Sequence, residues 1–149
     1  MPITSNDLLS AARMLLEGDD EVAWRSAVNR AYYAAYHSLL EVCDFLPASS
    51  DEQLAKDRIS HAEVIARIRQ WKPIGSAACL RRMTVSANKA LQEMRRSRSL
   101  RELADYRLTA SINKTDARQQ ITRASQLCRF VVQVQAELKR SNDASTPVH

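Results

Sequence analysis

The chain has 149 residues, with 22 Lys and Arg against 17 Asp and Glu, a formal net charge of +5. With 45% hydrophobic residues, 26% charged residues and only 2 Gly, it is neither collagen-like nor low-complexity, and one self-sufficient core in a single domain is expected. The small basic excess is compatible with an acidic partner such as RNA and equally with a solvated basic face.

No stretch approaches roughly 18 uninterrupted apolar residues, so no membrane span is expected. The N-terminal "MPITSNDLL" lacks the basic and apolar regions of a signal peptide. Cys43, Cys79 and Cys128 are odd in number, far apart and without CxxC spacing. They read as reduced thiols of a cytoplasmic protein.

Five helices are expected in chain order. The first runs from about Ser5 to Glu17, with Leu8, Ala12, Leu15 and Leu16 on one face and Gly18 as its stop. Asp19 or Asp20 caps the second, from Glu21 to about Phe45 before Pro47. The polar "PASSDEQLAKDR" reads as a loop. "SHAE" at 60–63 matches a capping box, Ser60 as cap and Glu63 reaching back, and opens a short third helix ending near Trp71. The fourth begins after Gly75 and continues to about Leu103, with "RRSRSLR" as a candidate break. The fifth starts near Thr115, and Ile121, Ala124, Cys128, Val131 and Leu138 form its buried stripe. The expected architecture is all-α, an up-and-down bundle of four or five helices, with one domain over 1–140 and a disordered tail over 141–149.

The second helix has more than one working face. Val28, Tyr32, Ala35, Leu39, Val42 and Leu46 alternate four and three apart and form a core-facing stripe. Ala23, Ala27, Ala31, Ala34 and Ser38 make a line of small residues that admits a close neighbour. The helix is therefore either central in the bundle or packed on a second protomer. Arg30, Tyr33, His37 and Leu40 lie nearly opposite the core stripe. Arg30 and His37 are two turns apart, a rise of about 10 Å with an offset of only about 20°, so they share a face. Arginine offers a permanent fork of donors to phosphate, and histidine can accept or give a proton near neutral pH. Together they suit metal-independent RNA cleavage, one moving the proton and the other stabilising charge on phosphorus. A buried ion pair and an interface histidine are the plain alternative.

The blocks "AVNRAYYAAYHSLL" (27–40), His61 in "SHAEVI", Arg101 to Tyr106 in "RELADY" and the closing "DARQQITRASQLCRFVV" resemble, in that order, the HEPN superfamily, named for higher eukaryotes and prokaryotes nucleotide-binding. The closer likeness is to its small stand-alone prokaryotic branch, and it covers about Leu8 to Val134. The resemblance implies a compact helical bundle that commonly dimerises. It also implies a metal-independent ribonuclease motif, Arg-x(4–6)-His, facing a cleft between protomers. Arg30 and His37 take the catalytic places, with six residues between them. Better-known toxin members carry a polar residue directly after the motif arginine; here it is Ala31.

Asn29 and Tyr33 are candidate substrate contacts, Tyr33 by stacking on an unpaired base or as an interface residue. Arg101 is either a second phosphate contact or part of a structural clamp with Asp105 and Tyr106, Asp105 pairing a cation that could be Arg30. His61 reads as structural. Arg81, Arg82, Lys89, Arg95, Arg96 and Arg98 either track an RNA backbone or form a solvated face. No metal-ligand spacing, P-loop or GxGxxG occurs, so no metal or cofactor is expected. Two functions compete, beside a third reading in which the chain is an unrelated helical bundle carrying a chance motif. One is an endoribonuclease, the toxin of a toxin–antitoxin pair. The other is a non-catalytic HEPN assembly module partnered with a nucleotidyltransferase or another protein.

Overall fold

The computed structural model describes residues 2–46, 60–71 and 77–145. The chain is an all-α bundle: α1 Ser5–Leu16, α2 Glu21–Cys43, α3 His61–Gln70, α4 Ala77–Tyr106 and α5 Lys114–Ser145. The expected loop over 47–58, Pro73 and Gly75 lie outside the described residues, as do 146–149. No helix among the described residues is long and apolar enough to cross a membrane.

Side-chain caps set the helix starts. Thr4 Oγ1 accepts from the Asp7 amide while Asp7 Oδ2 accepts from the Thr4 amide, a reciprocal box at the start of α1. Asp20 Oδ1 accepts from the Ala23 amide at 2.8 Å and opens α2. Ser60 Oγ accepts from the Glu63 amide at 3.1 Å and opens α3. Asn113 and Asp116 exchange backbone–side-chain bonds at the start of α5. Each satisfies amides that the first helical turn leaves without partners.

The α1–α2 turn depends on Gly18. A Cβ there would stand 2.5 Å from the Ala23 Cβ, so close approach fixes glycine. Trp24 Nε1 locks the turn by donating to the Gly18 carbonyl at 2.8 Å.

α2 is the central helix and packs on α1, α3, α4 and α5. Its stripe Val28, Tyr32, Ala35, Leu39, Val42 and Leu46 is buried throughout, and so are Ala27, Ala31, Ala34 and Ser38 of the small line. Each fully buried Val or Leu contributes roughly 1.5–3 kcal/mol over leaving it in water. A second, smaller core joins Ala27 and Val28 to Ala104, Ile112 and Ala117 at the α4–α5 turn.

α4 runs through the candidate break "RRSRSLR" without interruption and ends three residues past Leu103. The segment holds no Gly or Pro, and Arg96–Glu93 and Arg98–Glu102 pair along the helix. Buried Gln120 of α5 adds a bond to the Ser97 carbonyl at 2.8 Å. α5 extends through Ser145, into the segment read from sequence as a tail.

Arg25 holds the bundle's far end. Its guanidinium pairs with Glu21 and donates to the carbonyls of Ala104 (2.8 Å), Ala110 and Arg107, while Glu21 Oε1 accepts from the Ile112 amide. One side chain thus closes the last carbonyls of α4 and fixes the turn into α5.

Candidate functional site

Arg30 and His37 are both exposed on the uninterrupted α2. Seven residues of regular helix leave them on one side, about 10 Å apart along the axis. Half-buried Tyr33 lies between them, its ring 6.2 Å from that of His37. The geometry expected from sequence, a helix carrying both groups outward, is what the fold presents.

They do not share a cavity. Arg30 lines a 360 Å³ hollow with Asn29, Asp105 and Leu108, between α2 and the end of α4. His37 lines a 630 Å³ hollow with Thr4, Leu8 and Glu41, between α2 and the start of α1. Within one chain, the cation and the imidazole face separate openings.

The second sequence block is mixed: Arg101 and Ala104 are buried, Asp105 is half-buried and Tyr106 is exposed. Arg101 is buried at 7% exposure, with its guanidinium over the rings of Tyr32 (5.0 Å) and Tyr106 (5.6 Å). It pairs with Asp105 at 3.7 Å and donates to the Tyr106 hydroxyl at 3.4 Å. Asp105 Oδ2 also accepts from Asn29 Nδ2 at 3.0 Å. Arg30 forms no ion pair among the described residues, so the alternative pairing of Asp105 with Arg30 is replaced by Arg101 and Asn29. Of the two readings of "RELADY", the clamp is the one this geometry fits. Asn29 belongs to the clamp and also lines the Arg30 hollow.

The sequence reading missed a cluster behind this face. The fully buried Tyr32 bonds through its hydroxyl to Nδ1 of His61. Tyr36 stacks on His61 at 4.2 Å and 15°. Burial pushes the Tyr32 hydroxyl well above the ordinary tyrosine range. Burial, with Arg98 and Arg101 nearby, holds His61 below its ordinary value. The available signal was the spacing of Tyr32 and Tyr36, one turn apart, with the Ser60 cap that aims His61.

Cys43 and Cys128 behave as packing residues. Buried Cys43 has its thiol pushed up to about 11, chiefly by burial. Cys128 is half-buried, 3.2 Å from Ser38 Oγ. Among the described residues, no three His, Cys, Asp or Glu side chains gather as a metal-ligating group.

Of the residues singled out from sequence, Arg30, Tyr33 and His37 therefore share the outer face of α2, while Asn29, Arg101, Asp105 and Tyr106 form the clamp beside it. No family model, curated protein or solved structure matches this chain.

Proposed function

We propose that the chain is a metal-independent endoribonuclease of the HEPN kind, with a site completed by a second copy of the chain. The carrying observation is that Arg30 and His37 stand exposed on one stripe of an unbroken helix yet open into separate hollows. A site needing both groups at one phosphate is incomplete in a single chain.

Self-association supplies the missing half. A two-fold axis beside the outer face of α2, level with Tyr33 and Ala34, sets Arg30 opposite the partner's His37. In the resulting cleft an imidazole takes the 2'-hydroxyl proton. The oxygen attacks phosphorus as the P–O5' bond breaks, and the imidazolium returns the proton to the departing 5'-oxygen. The guanidinium stabilises the charge on the phosphoryl oxygens. The products are a 2',3'-cyclic phosphate and a 5'-hydroxyl. In a toxin–antitoxin setting, the partner protein covers this seam.

A second reading rests on the clamp. Arg101 and Asn29 are held by Asp105 and the aromatic rings, which leaves few free polar groups beside Arg30. On that reading the outer face of α2 is a non-catalytic assembly surface for another copy or for a nucleotidyltransferase.

The test is RNA cleavage in chelator over a broad panel of transcripts. The nuclease reading expects cyclic-phosphate ends, lost in His37→Ala while helicity and size stay as in wild type. A folded preparation that cuts no RNA removes that reading. Loss of the oligomer or of a captured partner in Tyr33→Ala, with no cleavage by either protein, establishes the assembly surface.

A further inference from the structure

The face formed by α4 and α5 shares no lining residue with the hollows of Arg30 and His37. Three hollows of 740, 200 and 650 Å³ follow one another along the α4–α5 seam. Their lining advances by threes and fours on each helix: Ser86, Lys89, Glu93, Arg96 and Leu100 on α4, and in antiparallel order Gln133, Arg129, Gln126, Arg123 and Gln119 on α5. The first two share Ser86 and Gln133, and the third continues the same faces of both helices past the Arg123–Glu93 pair, so together they make one grooved strip.

Both rims carry cations. Arg82, Lys89 and Arg96 recur every seven residues, all exposed, which spaces cations about 10 Å apart on one face of α4. The α5 rim adds Arg123, Arg129 and Arg140, interleaved with the glutamines. The acids of both rims are engaged: Glu93 of α4 pairs with Arg96 and Arg123, Glu137 with Arg140, and Asp116 accepts from the Asn113 amide. Arg81, Arg82, Lys89, Arg95 and Arg129 have no ion pair among the described residues.

We propose that this groove binds the phosphodiester backbone of a nucleic-acid duplex. Guanidinium, ammonium and amide donors in a repeating line are the groups that contact phosphates. Among the described residues, Val85 and Val132 are the exposed large apolar side chains of the groove. An acidic protein would need a larger apolar or aromatic centre to anchor it. A single strand would need exposed rings for its bases to stack on, and the groove shows none among the described residues. Contact is thus with backbone alone, without sequence preference. This surface holds RNA whether or not the Arg30–His37 face cuts it.

The test is fluorescence anisotropy of the full chain with a labelled 20-base-pair duplex, made once as 2'-O-methyl RNA and once as DNA. Neither duplex has a free 2'-hydroxyl, so binding is read independently of cleavage. The two should bind within about threefold of each other, because phosphates are common to both. Arg82→Glu/Lys89→Glu should weaken binding at least tenfold and lower the slope of log K against log salt by about two. Arg13→Glu/Arg69→Glu, an equal charge change on α1 and α3, should bind as wild type does. Equal loss in both double variants, or none in the first, overturns the assignment. So does a single strand that binds more tightly than the duplex, or displacement by polyglutamate as effective as by unlabelled duplex, which would indicate an acidic protein partner.

Discussion

The hydroxyl of Tyr32 and Nδ1 of His61 are hydrogen-bonded across the α2–α3 interface, with the two rings stacked at 5.4 Å and 12°. A phenol is the better donor and an imidazole nitrogen the better acceptor, so the His61 proton sits on Nε2. Arg98 and Arg101 lie on α4 beside it, with Glu102 as the opposing charge.

This pairing predicts an acid-sensitive fold. The His61 value lies below its ordinary 6.5 in the folded chain, so the unfolded chain takes up the proton first as pH falls. The contribution is intact above the ordinary histidine value and is lost as pH drops through it toward the folded value. Between about pH 8 and pH 5, His61→Gln should lose less of its urea midpoint than wild type. Tyr32→Phe should cost about 1 kcal/mol at neutral pH through the lost bond. Equal midpoint losses in wild type and His61→Gln would show that His61 is not the titrating group.

Arg25→Ala should destabilise the chain by roughly 2–3 kcal/mol, because partly buried carbonyls at the end of α4 lose a charged donor. Arg25→Lys should recover only a minor part, since a single ammonium cannot span the carbonyls that the guanidinium fork reaches. Denaturant unfolding of both variants gives the comparison, and full recovery by lysine would contradict the fork.

At the first turn, Gly18→Ala should cost about 1–3 kcal/mol through overpacking against Ala23. Adding Ala23→Gly should return part of that loss, although glycine in a helix is itself unfavourable by about 1 kcal/mol. A double-mutant cycle measures the coupling, and a coupling near zero would mean that the two Cβ positions do not compete.

The composite site makes a complementation prediction. If Arg30 of one protomer acts with the partner's His37, mixing inactive Arg30→Ala and His37→Ala proteins should restore about a quarter of wild-type cleavage, since half the dimers are mixed and each has one intact site. Cleavage that stays absent on mixing, while dimers exchange subunits, would place both groups in one protomer.

Sequence periodicity alone was enough for the bundle. The 4–3 spacing of Val28, Tyr32, Ala35, Leu39, Val42 and Leu46 names the buried face of α2, because a helix returns to the same side every 3.6 residues. Caps at Asp20 and Ser60 were readable because capping is chemistry between near neighbours. Even the outward placement of Arg30 and His37 is arithmetic on one helix. What tertiary structure decided is every relationship between distant segments. Arg101 stacks on Tyr32, Asp105 accepts from Asn29, Arg25 closes the end of α4, and His61 meets Tyr32. These contacts depend on how α2, α3 and α4 cross, and no local rule fixes where a long side chain ends when its partner lies tens of residues away. For the same reason the basic run of α4 became one rim of a groove only once α5 laid its arginines and glutamines alongside.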